Sequence, residues 1–165
     1  MRLTLLLSML TIALTSKAQV ENGAYNLMLK TMLSHSVNEI SVDALVKLKD
    51  VVLLDAREQA EYKVSHLLNA RYVGYDNFNI DSLKNIDKQA TVIVYCSVGY
   101  RSEKIAERLK SEGFTNVSNL YGGIFEWVNQ GNQVVDSNEK RTNDVHAYNK
   151  TWGIWLNKGN KVYEP

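Results

Sequence analysis

The sequence predicts an α/β protein in which a parallel sheet carries helices on both faces. One observation is a set of short apolar runs rich in β-branched residues, at positions 51–55, 91–95 and 117–120, each the length of a buried strand. Another is that segments with helical spacing follow these runs. Because strands joined through helices pair in parallel by right-handed crossovers, the alternation predicts one covered sheet in a chain of 165 residues.

The first 18 residues predict a secretory signal peptide. Arg2 precedes an apolar run at positions 3–14, and small residues stand three positions and one position before Gln19, as at a cleavage site. The run of about 12 residues is shorter than the roughly 20 that span a bilayer, so we expect cleavage and no stable membrane anchor. The expected location of the mature protein is periplasmic or secreted.

Composition and charge narrow the function classes. Hydrophobic residues make up 45% of the chain and charged residues 22%, as in ordinary globular proteins. Removing residues 1–18, which hold Arg2 and Lys17 and no acidic residue, changes the formal net charge from +1 to −1. Such a charge does not favour nucleic acid as a partner. Cys96 is the single cysteine in the sequence, so a chain expected to be exported carries an unpaired thiol.

The elements before this cysteine are predicted in order. Apolar spacing over positions 21–34 indicates a helix within an N-terminal extension, residues 19–37. Ser41 is a suitable N-cap for the helix that follows a short strand. The predicted elements are a strand at 39–40, a helix at 42–49 with Leu45, Val46 and Leu48 facing inward, a strand at 51–55, a helix at 58–62, a strand near 71–73, a helical turn at 81–83 and a strand at 91–95.

Cys96 lies between the strand at 91–95 and a helix predicted from Ser102. In open α/β sheets, ligands bind at the carboxyl ends of the strands. The start of a helix, inward-pointing amides and the guanidinium of Arg101 all favour a thiolate, and Gly99 suits a loop that turns its amides inward. The alternative is a buried core cysteine. The neighbouring glycine, arginine and helix start favour a reactive thiol.

The chain after this loop gives two more strand and helix signals and then a different kind of tail. The helix from Ser102 is predicted to end at Gly113, a strand covers 117–120, and the glycine-bearing segment 121–127 opens a helix. Residues 132–165 form a C-terminal extension that is polar at first and then rich in bulky apolar residues. These are Val145, Tyr148, Trp152, Ile154, Trp155 and Leu156. We expect the extension to pack on the domain, with partner contact as the less favoured role.

Five segments resemble the rhodanese-like family in order and spacing, across residues 38–131. They are 54–62, 66–70, the loop Cys96-Ser97-Val98-Gly99-Tyr100-Arg101-Ser102, 113–117 and 120–127. The resemblance implies a fold with about five parallel strands flanked by helices. It also implies a sulfurtransferase in which the loop cysteine takes a sulfane sulfur from a donor such as thiosulfate. The resulting persulfide passes the sulfur to an acceptor such as cyanide, a thiol or a protein, with no cofactor beyond the covalent persulfide.

The resemblance also assigns roles to residues of the loop. Cys96 corresponds to the nucleophile and persulfide carrier. The substrate-binding positions are Ser97, Val98, Gly99, Tyr100, Arg101 and Ser102, with the backbone amides from 97 to 101 around the terminal sulfur. The side chain of Arg101 either meets an anionic donor and takes part in catalysis or has a structural role, as a brace of the loop or as the salt-bridge partner of a strand-end carboxylate; both roles stay open.

Three further residues are candidates for a role at the site. Asp55 and Arg57 lie near the carboxyl edge of the predicted sheet, and His66 could be considered as a catalytic partner of the cysteine. Asp55 and Arg57 follow a strand end, where a solvated or structural ion pair is the favoured role and support of the loop is the alternative. His66 is structural in the resembled family, so we leave it out of the catalytic set. The remaining histidines have no spacing that indicates a metal site.

The donor and the reaction class each have alternatives. Ser97 follows Cys96 directly and the loop holds no lysine and no arginine besides Arg101, whereas the dianion thiosulfate benefits from positive charge. A persulfide donor is therefore as open as thiosulfate.

Phosphatases and arsenate reductases also hold a thiolate in an amide-lined loop, but five residues separate their cysteine and arginine, against four here. A binding or sulfur-relay module without turnover is the third alternative.

Overall fold

The computed structural model describes residues 19–164. The predicted signal peptide, residues 1–18, lies outside the described residues. Within the described residues, no helix is both long enough and apolar enough to cross a membrane.

Five parallel strands form the central sheet, in the order β1-β5-β4-β2-β3. The strands are β1 (Asn38–Ile40), β2 (Val51–Asp55), β3 (Arg71–Tyr72), β4 (Thr91–Tyr95) and β5 (Val117–Leu120). The central strand β4 pairs with β2 along its whole length, from Thr91 opposite Val51 to Tyr95 opposite Asp55. The predicted fold class, including the strand number that the resemblance implies, is confirmed.

Helices cover both faces of this sheet. They are α1 (Gly23–Met32), α2 (Val42–Leu45), α3 (Gln59–Val64), α4 (Tyr100–Ser111), α5 (Gly123–Asn129) and α6 (Lys150–Gly153), with a 3₁₀ turn at Ile80–Leu83. Side chains alternate along β4 because successive residues of a strand point to opposite faces. Val92 and Val94 pack with apolar residues of α4, whereas Ile93 and Tyr95 pack with residues of α1 and α5.

Two predicted helix boundaries differ from the structure. Helix α4 begins at Tyr100, two residues earlier than predicted, because Gly99 takes a positive φ of 127° and lets the chain enter the helix at once. Helix α2 ends at Leu45, and the prediction that Val46 and Leu48 face inward is wrong. Their exposed fractions are 50% and 42%, because the chain leaves the helix and crosses the surface before β2 begins.

The C-terminal extension lies on the same face of the sheet as α1. It holds an antiparallel pair, β6 (Val134–Val135) with β7 (Arg141–Thr142), and a parallel pair, β8 (Asp144–His146) with β9 (Asn160–Val162). Val145, Ala147 and Leu156 are fully buried in the core cluster that includes Tyr25 of α1. The Tyr25 ring also stacks on Trp155, with 5.2 Å between ring centroids. This packing brings the extension to the carboxyl edge of the sheet.

Candidate active site

Cys96 lies at the carboxyl end of the central strand, on the loop that leads into α4. Its side chain is almost fully enclosed, with 1% of the residue exposed. The backbone N–H of Gly99 donates a hydrogen bond to Cys96 Sγ at 3.1 Å. This amide and the start of the twelve-residue helix α4 both direct the positive ends of backbone dipoles toward the sulfur.

The first turn of α5 holds this loop from below. Ile124 and Phe125 donate their backbone N–H groups to the carbonyl oxygens of Cys96 and Ser97, at 2.9 and 3.2 Å. Gly123 makes this approach possible: a Cβ atom there would lie 2.4 Å from the Cys96 oxygen, and its φ is +57°. The glycine-bearing segment that resembles the family's closing motif thus supports the active loop.

A buried carboxylate, Glu61 of α3, lies under the loop and accepts four hydrogen bonds. Arg101 donates two of them, from Nη1 at 2.6 Å and Nη2 at 2.8 Å, and the Ser97 hydroxyl donates a third at 3.0 Å. The fourth comes from the backbone N–H of Glu58 at 2.9 Å. Burial by itself would raise the pKa of Glu61, but the hydrogen bonds and charge of Arg101 outweigh it and leave the pKa below its ordinary value.

Arg101 turns its hydrogen-bonding edge inward and its flat face toward the extension. Its Nη2 donates to the Ser97 hydroxyl oxygen as well as to Glu61. The ring of Tyr148 lies over the guanidinium, with 5.2 Å from Cζ to the ring centroid, a cation–π distance. One of the alternatives for Arg101, a salt bridge with a strand-end carboxylate, does not occur, because its carboxylate partner is Glu61 of helix α3. In this structure Arg101 braces the loop, with 14% of its side chain exposed.

Ser102, one of the predicted substrate-binding residues, lies outside the cleft. Its fully buried hydroxyl is 2.7 Å from Asn119 Oδ1 and 3.1 Å from the Gly99 carbonyl oxygen. Asn119 in turn donates from Nδ2 to the same carbonyl at 2.9 Å. Direct contact with substrate is therefore not available to the Ser102 side chain. It fixes Gly99, whose amide faces Cys96.

Asp55 and Arg57 form a completely buried ion pair. Arg57 donates from Nη2 to Asp55 Oδ2 at 2.7 Å, and both side chains are 0% exposed. Arg57 also donates to the Ser65 carbonyl at 2.6 Å, which ties the end of β2 to the chain after α3. A solvated pair is therefore the wrong description. Neither residue lines the cleft above Cys96.

The sulfur of Cys96 opens into a cleft of about 450 Å³. The loop supplies part of the wall and four other parts of the chain supply the rest: the end of α1, the residue before α3, the segment after β3 and the C-terminal extension. The lining residues are Met32, Glu58, Tyr75, Asp76, Cys96, Ser97, Val98, Tyr100, Arg101, Tyr148 and Trp152. Most of this lining is apolar or aromatic.

Sequence reasoning missed the residues that complete the site from a distance. Glu61 stands inside a segment that resembles the family, three positions after the N-cap residue Glu58, and that spacing is the signal that could have singled it out. Asn119 and Tyr148 carry no such signal. Among residues 19–164, no group of three or more His, Cys, Asp or Glu side chains is arranged to hold a metal ion.

The chain resembles a known family and several known proteins. The family model for the rhodanese-like domain matches residues 40–130. A thiosulfate sulfurtransferase of Coxiella burnetii is 33% identical over 96 residues, which cover 58% of this chain and 89% of the relative. A tRNA uridine(34) hydroxylase of Hamiltonella defensa is 38% identical over 101 residues, and this chain spans 27% of its length.

Solved structures share the fold. The rhodanese-like domain of an Anabaena protein aligns with a TM-score of 0.56 at 23% identity, covering 63% of this chain and 83% of that one. A rhodanese-related protein of Thermoplasma volcanium aligns with a TM-score of 0.51 at 27% identity, covering 59% and 97%.

Proposed function

The chain belongs to the rhodanese-like family, and we propose that it is a sulfurtransferase that carries a sulfane sulfur on Cys96. A role in rhodanese-type sulfur transfer is supported by the relative named as a thiosulfate sulfurtransferase. The observation that carries the proposal is the Gly99 amide 3.1 Å from Cys96 Sγ at the floor of an open cleft. A structural core cysteine needs neither an amide on its sulfur nor a path to solvent.

The reaction follows from this geometry in two steps. The Cys96 thiolate attacks the outer sulfur of a donor, the sulfur–sulfur bond of the donor breaks, and the leaving group departs with the electron pair: sulfite from thiosulfate, a thiolate from an organic persulfide. The terminal sulfur of the new persulfide then lies over the loop amides, which stabilise its negative charge. An acceptor such as cyanide or a thiolate takes that sulfur, and Cys96 returns as the thiolate.

Intact-mass spectrometry of the chain from Gln19 onward tests this function. We expect a gain of one sulfur, about 32 Da, on Cys96 after incubation with thiosulfate or glutathione persulfide, and its loss on addition of cyanide. Cys96→Ser should fold normally and gain nothing. A folded wild-type protein with a titratable thiol that gains no sulfur from either donor would overturn the proposal.

The oxyanion enzymes are the alternative class that the site disfavours. Phosphate needs a ring of amides and a guanidinium free to meet its oxygens, whereas Arg101 already donates to Glu61 and Ser97. Turnover of an aryl phosphate by the wild-type protein, lost in Cys96→Ser, would reverse this preference.

We place this activity outside the cytoplasm, on the strength of the apolar run and small residues before Gln19. A small thiol or a protein cysteine would then be the acceptor. Cell fractionation with N-terminal sequencing tests the placement. We expect the mature protein in the exported fraction and starting at Gln19, and an intact chain beginning at Met1 in the cytoplasm would contradict it.

A further inference from the structure

The cleft above Cys96 offers little positive charge to a donor. Among residues 19–164, its lining includes two carboxylates, Glu58 and Asp76, and a single guanidinium, that of Arg101. The charge of Arg101 is opposed at 2.6 Å by Glu61, which is itself 3% exposed. The ion pair is close to neutral as seen from the cleft, so the carboxylates at the rim leave the opening with negative charge.

The geometry of Arg101 also keeps it from serving a second anion. Two of its nitrogens already donate to Glu61, and one of these also contacts the Ser97 hydroxyl. The outward face of the guanidinium is under the Tyr148 ring. A sulfonate group could take the arginine only by displacing a buried carboxylate that would then lack its partner, which is costly.

The extension gives the cleft an aromatic wall in place of a charged one. Tyr148 and Trp152 both line it, and Trp152 also packs against the main core cluster. Tyr148 holds a positive φ of 64°, and its backbone N–H donates to His146 Nδ1 at 3.2 Å. A tyrosine fixed in this backbone conformation has its position determined by the extension and not by the loop.

The volume of the cleft agrees with its aromatic lining, since both suit an organic ligand. A cleft of about 450 Å³ is in the range of sites that take organic ligands, whereas thiosulfate has only five non-hydrogen atoms. Flat apolar groups gain free energy against aromatic walls by burial and stacking. A dianion gains nothing there and meets two carboxylates at the opening.

We propose that Tyr148 and Trp152 determine the donor specificity of this site, and that its donor is an organic persulfide with an apolar or aromatic body and at most one negative charge besides the sulfur. This inference rests on the proposed function and names its substrate class. In the step itself the Cys96 thiolate attacks the terminal sulfur of R–S–SH. The donor's S–S bond breaks and R–S⁻ leaves with the electron pair, so that Cys96 carries the –S–SH group.

Stable thiosulfonates make this class measurable beside thiosulfate. Benzenethiosulfonate and methanethiosulfonate are monoanions that give up the same outer sulfur and release a sulfinate, and they differ in the apolar body. With cyanide as acceptor, thiocyanate formation gives kcat/KM for each donor. The intrinsic reactivity of the donors cancels when each ratio for a variant is divided by the ratio for the wild type.

Two variants remove the aromatic wall. We expect Trp152→Ala and Tyr148→Asn each to lower the ratio of benzenethiosulfonate to methanethiosulfonate kcat/KM by roughly tenfold, from lost burial and stacking. Asparagine tolerates the positive φ at position 148. Ile154→Ala is the matched control, because Ile154 lies beside α6, is 59% exposed and does not line the cleft. Its ratio should equal that of the wild type.

A third variant tests the charge. Asp76→Lys places a cation on the exposed rim and should raise kcat/KM for the dianion thiosulfate several-fold, and for the monoanion methanethiosulfonate by a smaller factor. The gain should shrink as salt is added, because screening weakens exposed charges.

The outcomes distinguish the proposed donor specificity from the proposed sulfurtransferase activity. Sulfur transfer from all donors with ratios unchanged in folded Trp152→Ala and Tyr148→Asn would overturn the specificity role and leave the sulfurtransferase standing. Failure of every donor to add sulfur to Cys96 would overturn both. If Trp152→Ala does not fold, the exposed Tyr148 still gives the test, since Tyr148→Asn removes no buried core side chain.

Discussion

Two buried arginine–carboxylate pairs occupy neighbouring positions in this protein and do different work. In one, Asp55 and Arg57 stand two residues apart in sequence, and both side chains are fully buried. In the other, Glu61 and Arg101 are forty residues apart and meet at the base of the cleft. The first joins the end of a strand to its own turn. The second joins a helix to the reactive loop.

The hydrogen bonds of the two carboxylates show what separates them. Asp55 accepts from the backbone N–H of Arg57 as well as from its guanidinium, so its partners come from one short turn. Glu61 accepts from three separate places, Glu58, Ser97 and Arg101. The local pair therefore serves the stability of the fold, and the long-range pair sets the position of the loop that carries Cys96.

The largest effect should come from breaking the local pair. Arg57→Met leaves the Asp55 carboxylate buried without its partner, and we expect a loss of about 3–5 kcal/mol in the free energy of unfolding. Chemical denaturation measures it. The persulfide reaction of the fraction that remains folded should change far less, because Arg57 does not line the cleft.

An exposed pair gives the matched control. Lys84 and Asp81 lie 3.0 Å apart with 73% and 61% of their side chains exposed, so Lys84→Met should cost at most about 1 kcal/mol. Equal losses in Arg57→Met and Lys84→Met would mean that burial does not distinguish the pairs.

A smaller effect on stability and a larger one on chemistry should follow from Glu61→Gln. The amide keeps the shape of the carboxylate but loses its charge and places an N–H₂ group against donors, at a cost of roughly 1–3 kcal/mol. In Glu61→Gln, Arg101 can recover part of this loss by turning to solvent. In Arg57→Met, the unpaired Asp55 is fully buried and cannot do so. The freed guanidinium should raise kcat/KM for thiosulfate relative to methanethiosulfonate.

The free energy of unfolding at acid pH gives a second test of Glu61→Gln. The pKa of Glu61 is lowered in the folded protein from an ordinary 4.5, so the folded state binds its proton later than the unfolded chain as pH falls. The stability that the pair contributes is complete above about pH 4.5, and it is lost as the pH falls through the pKa that Glu61 has in the folded protein. Glu61→Gln should lose less stability than the wild type over that range. Parallel curves would show that Glu61 is not the group responsible.

The same contrast marks what could be predicted from the sequence. The strands at 51–55, 91–95 and 117–120 follow from apolar runs and recur in the structure with those bounds, because a central parallel strand must be apolar on both faces. The local pair Asp55 and Arg57 was singled out for the same reason: its members stand together after a strand end. Short-range patterns carry these inferences.

The partners of Arg101 could not be reached in this way. Glu61 lies on α3 and Tyr148 on the extension, and they meet Arg101 only once the sheet order brings those segments to one edge. The pattern of apolar residues in 132–165 indicates burial and is silent on which side chain faces a cleft. Long-range pairing of charged and aromatic groups is a property of the assembled fold.

The smallest expected effect concerns His146 of β8. The charges of Glu61, Arg57 and Arg101 all act on it, but burial dominates and lowers its pKa from an ordinary 6.5. Its Nδ1 accepts the N–H of Tyr148, which requires an unprotonated nitrogen. Between pH 7 and 5 the unfolded chain takes up this proton before the folded protein does, so stability should fall as pH drops below 6.5.

His146→Asn isolates this contribution. An asparagine side chain can accept the N–H two residues ahead of it, so the variant keeps the hydrogen bond to Tyr148 and removes the titration. The free energy of unfolding, measured from pH 7 to 5, should decline less in His146→Asn than in the wild type. Identical pH profiles of the free energy of unfolding in the two proteins would show that the titration of His146 does not contribute to stability over this range.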